Sequence, residues 1–263
     1  MKHLKFLAAV CCMLAVFTAC EKNEPNDNGN GINTDQNGGN SNTDNSSGSV
    51  SAPTGTENGH GYVDLGLSVK WATCNVGATK PEEYGNYYAW GEIEPKTDYS
   101  PDNYKWGTAT QEEWGWNLET LTKYNTSSSY GTVDNKTVLE LADDAAAVNW
   151  GGAWRMPTEA ELKELRENCA WKWTDNYNNT GIAGRIVTSN INGNSIFLPS
   201  AGSRYGVDLH LAGNDGIYWS SSLNSPGDAW NVRFYSDGVF MYGGSMYNYS
   251  RYNGWSVRPV LGE

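Results

Sequence analysis

Few residues in this chain are equipped for covalent chemistry. Beyond His3 its only histidines are His60 and His210. His60 lies between two glycines and reads as a turn or as the end of a tether. Asp208-Leu209-His210 would suit a metal or a catalytic dyad, but no partner cluster accompanies it, and a solvated loop is the simpler reading. Ser220-Ser221-Ser222 offers hydroxyls. A serine nucleophile needs a base and an orienting acid within hydrogen-bond reach, and no motif supplies them. Asp143-Asp144 could hold a cation, although adjacent carboxylates more often cap helices or face water. The expectation is a protein that is not an enzyme and uses neither cofactor nor metal.

Noncovalent chemistry is better represented. Between Tyr235 and Asn253, thirteen of nineteen residues are Tyr, Ser, Gly or Asn. This mixture characterises antibody paratopes, where Tyr gives large amphipathic area at small entropic cost and the small residues adapt their hydrogen bonds. The candidate ligand-binding residues are Trp230, Asn231, Arg233, Tyr235, Asp237, Phe240, Tyr242, Tyr247, Asn248, Tyr249, Arg251, Tyr252 and Asn253. Tyr and Phe would serve as anchors, Arg233 and Arg251 as polar reach. Tyr242, Tyr247, Tyr249 and Tyr252 show neither helical nor strand periodicity, which places them on exposed loops. Trp219, Phe234, Trp255 and Val257 read as core.

The elements that would carry this surface occupy the later four-fifths of the chain. Met1 to Lys5 carries two lysines, and residues 6–19 form an apolar run too short to span a bilayer. That run ends Phe17-Thr18-Ala19-Cys20, small residues before a cysteine, as in a bacterial lipobox. Residues 1–19 are therefore expected to be a lipoprotein signal peptide and Cys20 the lipidated first residue. A plain secretory signal with an incidental cysteine is the alternative. Residues 20–58 follow as a disordered tether of Asn, Gly, Asp, Ser, Thr and Pro, unable to bury enough surface to offset its entropy. Its flexible length gives an end-to-end distance of roughly 30–35 Å.

Residues 59–263 are expected to form one domain. Twelve tryptophans and sixteen tyrosines against five phenylalanines favour a loop-rich fold whose half-buried rings need polar partners. Loss of Lys2 and Lys5 takes the formal charge from −12 to −14. No basic stripe remains for nucleic acid or anionic lipid, so membrane contact would come through the acyl anchor alone. Cys74 and Cys169 would sit in an oxidising compartment. A disulfide between them would close a loop of about 95 residues, for at most about 4.6 kcal/mol of entropic stabilisation; two buried free thiols are the alternative.

Alternation from Tyr62 to Trp71 reads as a hairpin and Asn86–Gly91 as a short aromatic strand. Residues 137–148 have helical spacing, although Asp143-Asp144 could equally turn the chain. Thr158 and Glu161 form a capping box that starts a helix ending near Asn168 or Cys169. Further strands are expected at 185–187, 195–199, 216–221 and 230–235, with 255–260 as a buried closing strand. The class is α+β, with few helices and many short, mostly antiparallel strands.

At Trp154-Arg155-Met156-Pro157-Thr158-Glu159-Ala160-Glu161-Leu162 the chain resembles the formylglycine-generating-enzyme branch of the C-type-lectin-like superfamily. More closely, it is similar to the Fibrobacter succinogenes major paralogous domain family, common in exported lipoproteins of Bacteroides-type bacteria. The matching blocks are Tyr62–Ala72, Trp154–Thr158, Phe197–Gly202, Tyr218–Ser222 and Ser256–Val260. They imply a C-type-lectin-like fold and an outer-membrane lipoprotein exposed at the cell surface. They do not imply one function, because the fold hosts many sites. The oxidase is not carried over, since no cysteine follows Cys169. Nor are the calcium ligands of sugar-binding lectins, which Glu94-Pro95-Lys96 and Gly213-Asn214-Asp215 fail to match.

One branch of this superfamily, the variable proteins of diversity-generating retroelements, presents a hypervariable C-terminal surface. Asn codons altered at adenines yield Tyr, Ser, Gly, Asp, Phe and Arg, the residues enriched after Asn231. The resemblance implies an unknown protein or glycan as ligand. Recognition of a macromolecule leads, a carbohydrate-binding lipoprotein follows, and an enzyme or a surface-fibre subunit is less favoured.

Overall fold

The computed structural model describes residues 50–112, 115–243 and 251–262. The expected signal peptide, Cys20 and most of the expected tether lie outside the described residues, as do Tyr247, Asn248 and Tyr249.

The chain opens with β1 (Gly55–Glu57), β2 (His60–Val63) and β3 (Lys70–Ala72), antiparallel neighbours. After an irregular stretch come β4 (Gly107–Glu112) and β5 (Gly115–Leu121), paired with each other. Helix α1 (Ala145–Trp150), strand β6 (Trp154–Arg155) and helix α2 (Glu159–Asn168) follow. Strands β7 (Cys169–Thr174), β8 (Gly184–Ser189) and β9 (Ser195–Pro199) make a second sheet. A hairpin of β10 (Ser203–Tyr205) and β11 (Asp208–His210) leads to β12 (Gly216–Ser225), β13 (Asp228–Tyr235) and β14 (Gly238–Tyr242), a third sheet. Finally β15 (Val260–Leu261) inserts between β3 and β6, completing the order β1-β2-β3-β15-β6. Every pairing of named strands is antiparallel, and two α-helices accompany them among the described residues. The α+β, loop-rich class is thus observed.

Strand β12 runs between two core clusters because its side chains alternate. Ile217 and Trp219 face one cluster with Trp90, Trp154 and Trp255. Tyr218 faces the other, with Leu162 and Leu165 of α2 and with Val232 and Phe234 of β13. The Trp219 and Trp255 rings meet with centroids 3.7 Å apart. Many buried rings also place their polar atom on a backbone carbonyl. Trp219 Nε1 donates to Tyr88 O at 2.9 Å, Trp90 Nε1 to Ser220 O at 2.8 Å, and Tyr218 Oη to Pro199 O at 2.8 Å. These bonds explain how so aromatic a chain buries its rings with few polar penalties.

The capping box forms as expected. Thr158 Oγ1 accepts from Glu161 N at 3.3 Å, and Thr158 N donates to the Glu161 carboxylate at 2.7 Å. Arg155 adds a fork onto both Glu161 oxygens at 2.8 and 2.5 Å. Burial alone would raise the Glu161 pKa, but Arg155 and the Thr158 N–H outweigh it and hold the carboxyl below its usual value of 4.5. The stabilisation is therefore complete above about pH 4.5 and lost as pH falls through the lower folded-state pKa. Glu161→Gln is expected to cost about 1–2 kcal/mol at neutral pH and to flatten this acid limb. Urea midpoints measured from pH 3 to 7 would show both.

The residues 137–148 resolve both readings into one arrangement. A 3-10 turn at Leu141–Asp143 precedes α1, whose N-cap is Asp144. Its Oδ1 accepts from Ala146 N and Ala147 N at 2.9 and 3.0 Å, and its Oδ2 from Met156 N at 2.8 Å.

Several expectations need correction. Ordered structure begins before residue 59: Ser51 N donates to Ser195 O at 3.2 Å, and β1 pairs with β2. The tether boundary at 58 is too late because polar composition concealed a short edge strand. His60 belongs to β2, its imidazole stacked on the Trp150 ring at 3.8 Å. Residues 86–91 form no strand; Tyr88 makes one bridge, to Trp255. Residues 255–260 are likewise not a continuous strand. Trp255 bridges Tyr88, Ser256 bridges Tyr218 in parallel, and only Val260 enters a ladder, so the segment changes partners along its length.

Cys74 and Cys169 are free and buried, not bonded to each other. Cys74 packs in the cluster with Trp219, Cys169 in the one with Leu162, so separate core regions hold them apart. Burial raises the Cys74 thiol and pushes Cys169 up to about 11, keeping both as unreactive thiols. Intact mass should be unchanged by reductant, and iodoacetamide should label both cysteines only after denaturation; a two-dalton gain on reduction would contradict this.

Candidate ligand-binding surface

The expected recognition residues fall on the sheet formed by β12, β13 and β14. Register decides which of them share a face. Asn231 lies opposite Tyr242, Arg233 opposite Phe240, and Tyr235 opposite Gly238. Directly opposed residues project to the same side. On the other side, Val232, Phe234, Val239 and Met241 pack into the core beneath α2. The recognition side continues onto β12 as Ile217 and Trp219, which are buried. It is therefore core at β12 and solvent-facing at β14.

The result is an aromatic row on the outer part of the sheet. Tyr235 stacks on Phe240 at 5.3 Å between centroids, and Phe240 meets Tyr242 at 5.9 Å. Phe240 is 37 % exposed, a high value for such a ring. Arg233 lies 6.0 Å over the Tyr235 ring. Its Nε donates to Asp215 Oδ2 at 3.0 Å, and the terminal nitrogen reaches the same oxygen. Asp215 is buried, so the pair fixes the guanidinium beside the rings with its charge already compensated. Asp237 is exposed in the turn between β13 and β14.

Other expected site residues are placed differently. Trp230 belongs to the opposite side, its ring lying where a Cβ on Gly243 would stand, 2.5 Å away. Asn231 is only 2 % exposed, and its amide donates to Tyr242 O at 3.2 Å and Ala229 O at 3.3 Å. Tyr252 and Asn253 are buried rather than on an exposed loop. Tyr242 is likewise not on a loop: the register places it in β14. Arg251 is wholly buried and supplies no polar reach. Its guanidinium donates to Tyr104 Oη at 2.9 Å, Tyr124 O at 3.0 Å, Pro226 O at 2.8 Å and Lys123 O at 3.0 Å. Trp90, Tyr104 and Tyr124 surround it at 4.8, 5.5 and 5.9 Å. A cation between tyrosines looked like surface; tertiary carbonyls and rings make it core.

Sequence reasoning also missed residues. Asp215, which orients Arg233, gave no signal because its partner is eighteen residues away. The β10–β11 hairpin exposes Tyr205, Val207, Leu209 and Leu211, and its alternation about Gly206 was a usable cue. His210 sits on its exposed outer strand.

The three serines are engaged structurally. Ser220 Oγ donates to Trp230 O at 2.8 Å, Ser221 Oγ to Pro157 O at 3.3 Å, and Ser222 Oγ accepts from Glu159 N at 3.0 Å. Among the described residues, no group of three or more His, Cys, Asp or Glu converges as a cation site, and no helix is long and apolar enough to cross a membrane. No family model matches the chain, and no curated protein or solved structure matches it either.

Proposed function

We propose that this chain is a lipid-anchored, surface-displayed protein that captures a macromolecular ligand noncovalently on the β13–β14 face. One observation carries the reading. Arg233, Tyr235, Phe240 and Tyr242 share a solvent-facing side, while Val232, Phe234, Val239 and Met241 between them anchor the sheet in the core. Clustered aromatic and Arg side chains on a rigid element are the usual composition of binding hot spots. We read the α+β architecture as C-type-lectin-like, of the Fibrobacter succinogenes major paralogous domain kind. In support, Trp71, Trp154, Trp219, Val257 and Arg258 of the matching blocks are all buried frame residues. The anchor is Cys20, placing the protein in the outer membrane at the cell surface.

We further read the face as diversified by a retroelement. Arg233, Tyr235, Asp237, Phe240 and Tyr242 are residues that altered Asn codons encode, and changing them leaves the apolar side of the sheet intact. Sequencing the neighbouring DNA tests this. The expected result is a reverse transcriptase and a near-copy of the Ala229–Val260 coding stretch, differing at adenines in those codons and sparing Val232, Phe234 and Trp255. Absence of the copy would end this reading.

The contiguous rings favour one second reading, a glycan ligand stacked on Tyr235, Phe240 and Tyr242. Glycan-array binding abolished by Phe240→Ala and Tyr242→Ala would select it over a protein ligand.

A further inference from the structure

A second surface feature is independent of the aromatic face. An open groove of about 490 Å³ lies between the segment 95–99 and the β10–β11 hairpin, with Val207 at its lip. That volume falls within the range of small-ligand sites, roughly 300–1,000 Å³. Arg204 lines it. The Arg204 backbone is pinned on both sides by Gly254, its N–H donating to Gly254 O at 2.8 Å and its carbonyl accepting from Gly254 N at 2.9 Å. Its guanidinium lies 5.1 Å over the Tyr87 ring. That ring is itself fixed, because Tyr87 Oη donates to Ala201 O at 2.6 Å and Tyr87 O accepts from Tyr99 Oη at 2.5 Å. Gly254 is needed for this packing, since a Cβ there would stand 2.5 Å from the Tyr99 ring.

The Arg204 guanidinium has no carboxylate partner among the described residues. Among the described residues it forms no salt bridge and no side-chain hydrogen bond, in a chain whose formal charge is −12. The neighbouring cation differs: Lys96 is occupied by Glu92 at 2.9 Å and by Asn103 O at 2.6 Å. Asn86 adds an amide to the groove wall. A guanidinium positioned over a ring, with an unused donor fork, is complementary to a planar carboxylate.

The geometry points to this groove as a binding site for a small organic carboxylate, held by a fork from Arg204 over Tyr87 with the rest of the ligand along Val207 and Asn86. Such a group is found on uronic acids and at peptide C-termini, and the test separates them. Titrations of the full chain by calorimetry would compare galacturonate with galactose, and N-acetylleucine with its amide. At least one acid is expected to bind tenfold or more tightly than its neutral counterpart, and the acid that does so names the source. Arg204→Gln is expected to remove that margin, Arg204→Lys to leave part of it, and added salt to weaken the wild type. Acids that bind no better than their neutral counterparts would overturn the proposal without any variant. So would an Arg204→Gln protein that binds the acid as the wild type does. Neither result bears on the β13–β14 face, which uses other residues.

Discussion

Arg251→Met is expected to lower the unfolding free energy by about 4 kcal/mol and the melting temperature by roughly 8–16 °C. The substitution removes four hydrogen bonds and leaves the carbonyls of Lys123, Tyr124 and Pro226 without the wholly buried guanidinium that they accept from. Each buried polar group left without a partner costs about 1–3 kcal/mol, and loss of the desolvated cation–π contacts adds about 2. Relief of the buried charge offsets part of this, which is why the estimate sits near the lower end of the sum. A typical domain holds only about 5–15 kcal/mol in reserve. Arg258→Met should behave similarly. That guanidinium is 1 % exposed and donates to Asn75 Oδ1, Ala72 O and Phe197 O at 2.9, 3.0 and 2.9 Å, joining the first sheet to β9. Urea unfolding followed by tryptophan fluorescence measures both. Near-wild-type midpoints would mean that these arginines are not the struts their contacts describe.

The aromatic face predicts the opposite pattern. Tyr235→Ser, Phe240→Ser and Tyr242→Ser together should weaken the ligand at least 100-fold, about 2.7 kcal/mol, while moving the melting temperature by only a few degrees. Binding falls because the rings supply most of the apolar contact on that side. Folding persists because Val232 and Phe234 are buried on the reverse side and Val239 and Met241 pack beside them. Arg233→Ala is a different experiment. It leaves the buried Asp215 carboxylate without its partner, so it should impair folding and binding together.

How much of this was legible depended on how local the determinants are. The capping box needs only Thr158 and Glu161 on one helical turn, and it could be read directly. So could the β2–β3 hairpin and the strand β9, which matches its expected limits. The β14 strand was not legible. In Gly-Val-Phe-Met-Tyr every side chain after the glycine is apolar or aromatic, so no alternation identifies the buried side until β13 sets the register. Arg251 misled for a related reason. Its partners Tyr104 and Lys123 are 147 and 128 residues away, and no local pattern distinguishes a caged guanidinium from a solvated one.

The same limit applies to the site. Composition identified the stretch 235–253 as unusual, but it could not separate Phe240, which faces solvent, from Tyr252, which is core. Pairing with β13 turns Phe240 outward, whereas Tyr252, in a turn outside any strand, packs with Tyr87, Tyr99 and Tyr104. The same pairing confines the described part of the face to Arg233, Tyr235, Phe240 and Tyr242, with Asp237 at the turn. Arg204 was overlooked because a single arginine in a short hairpin carries no motif. Its interest lies in having a ring but no carboxylate partner among the described residues, which only the packed structure reveals.

Ligand bound on the β13–β14 face would shield its rings from solvent. Hydroxyl-radical footprinting of the protein, with and without a ligand captured from its cognate surface, tests it directly. Protection should appear at Tyr235, Phe240 and Tyr242 and be absent from rings on other faces, such as Trp173 on β7. A ligand that binds and leaves those three rings as reactive as in the free protein would mean that recognition lies on another face.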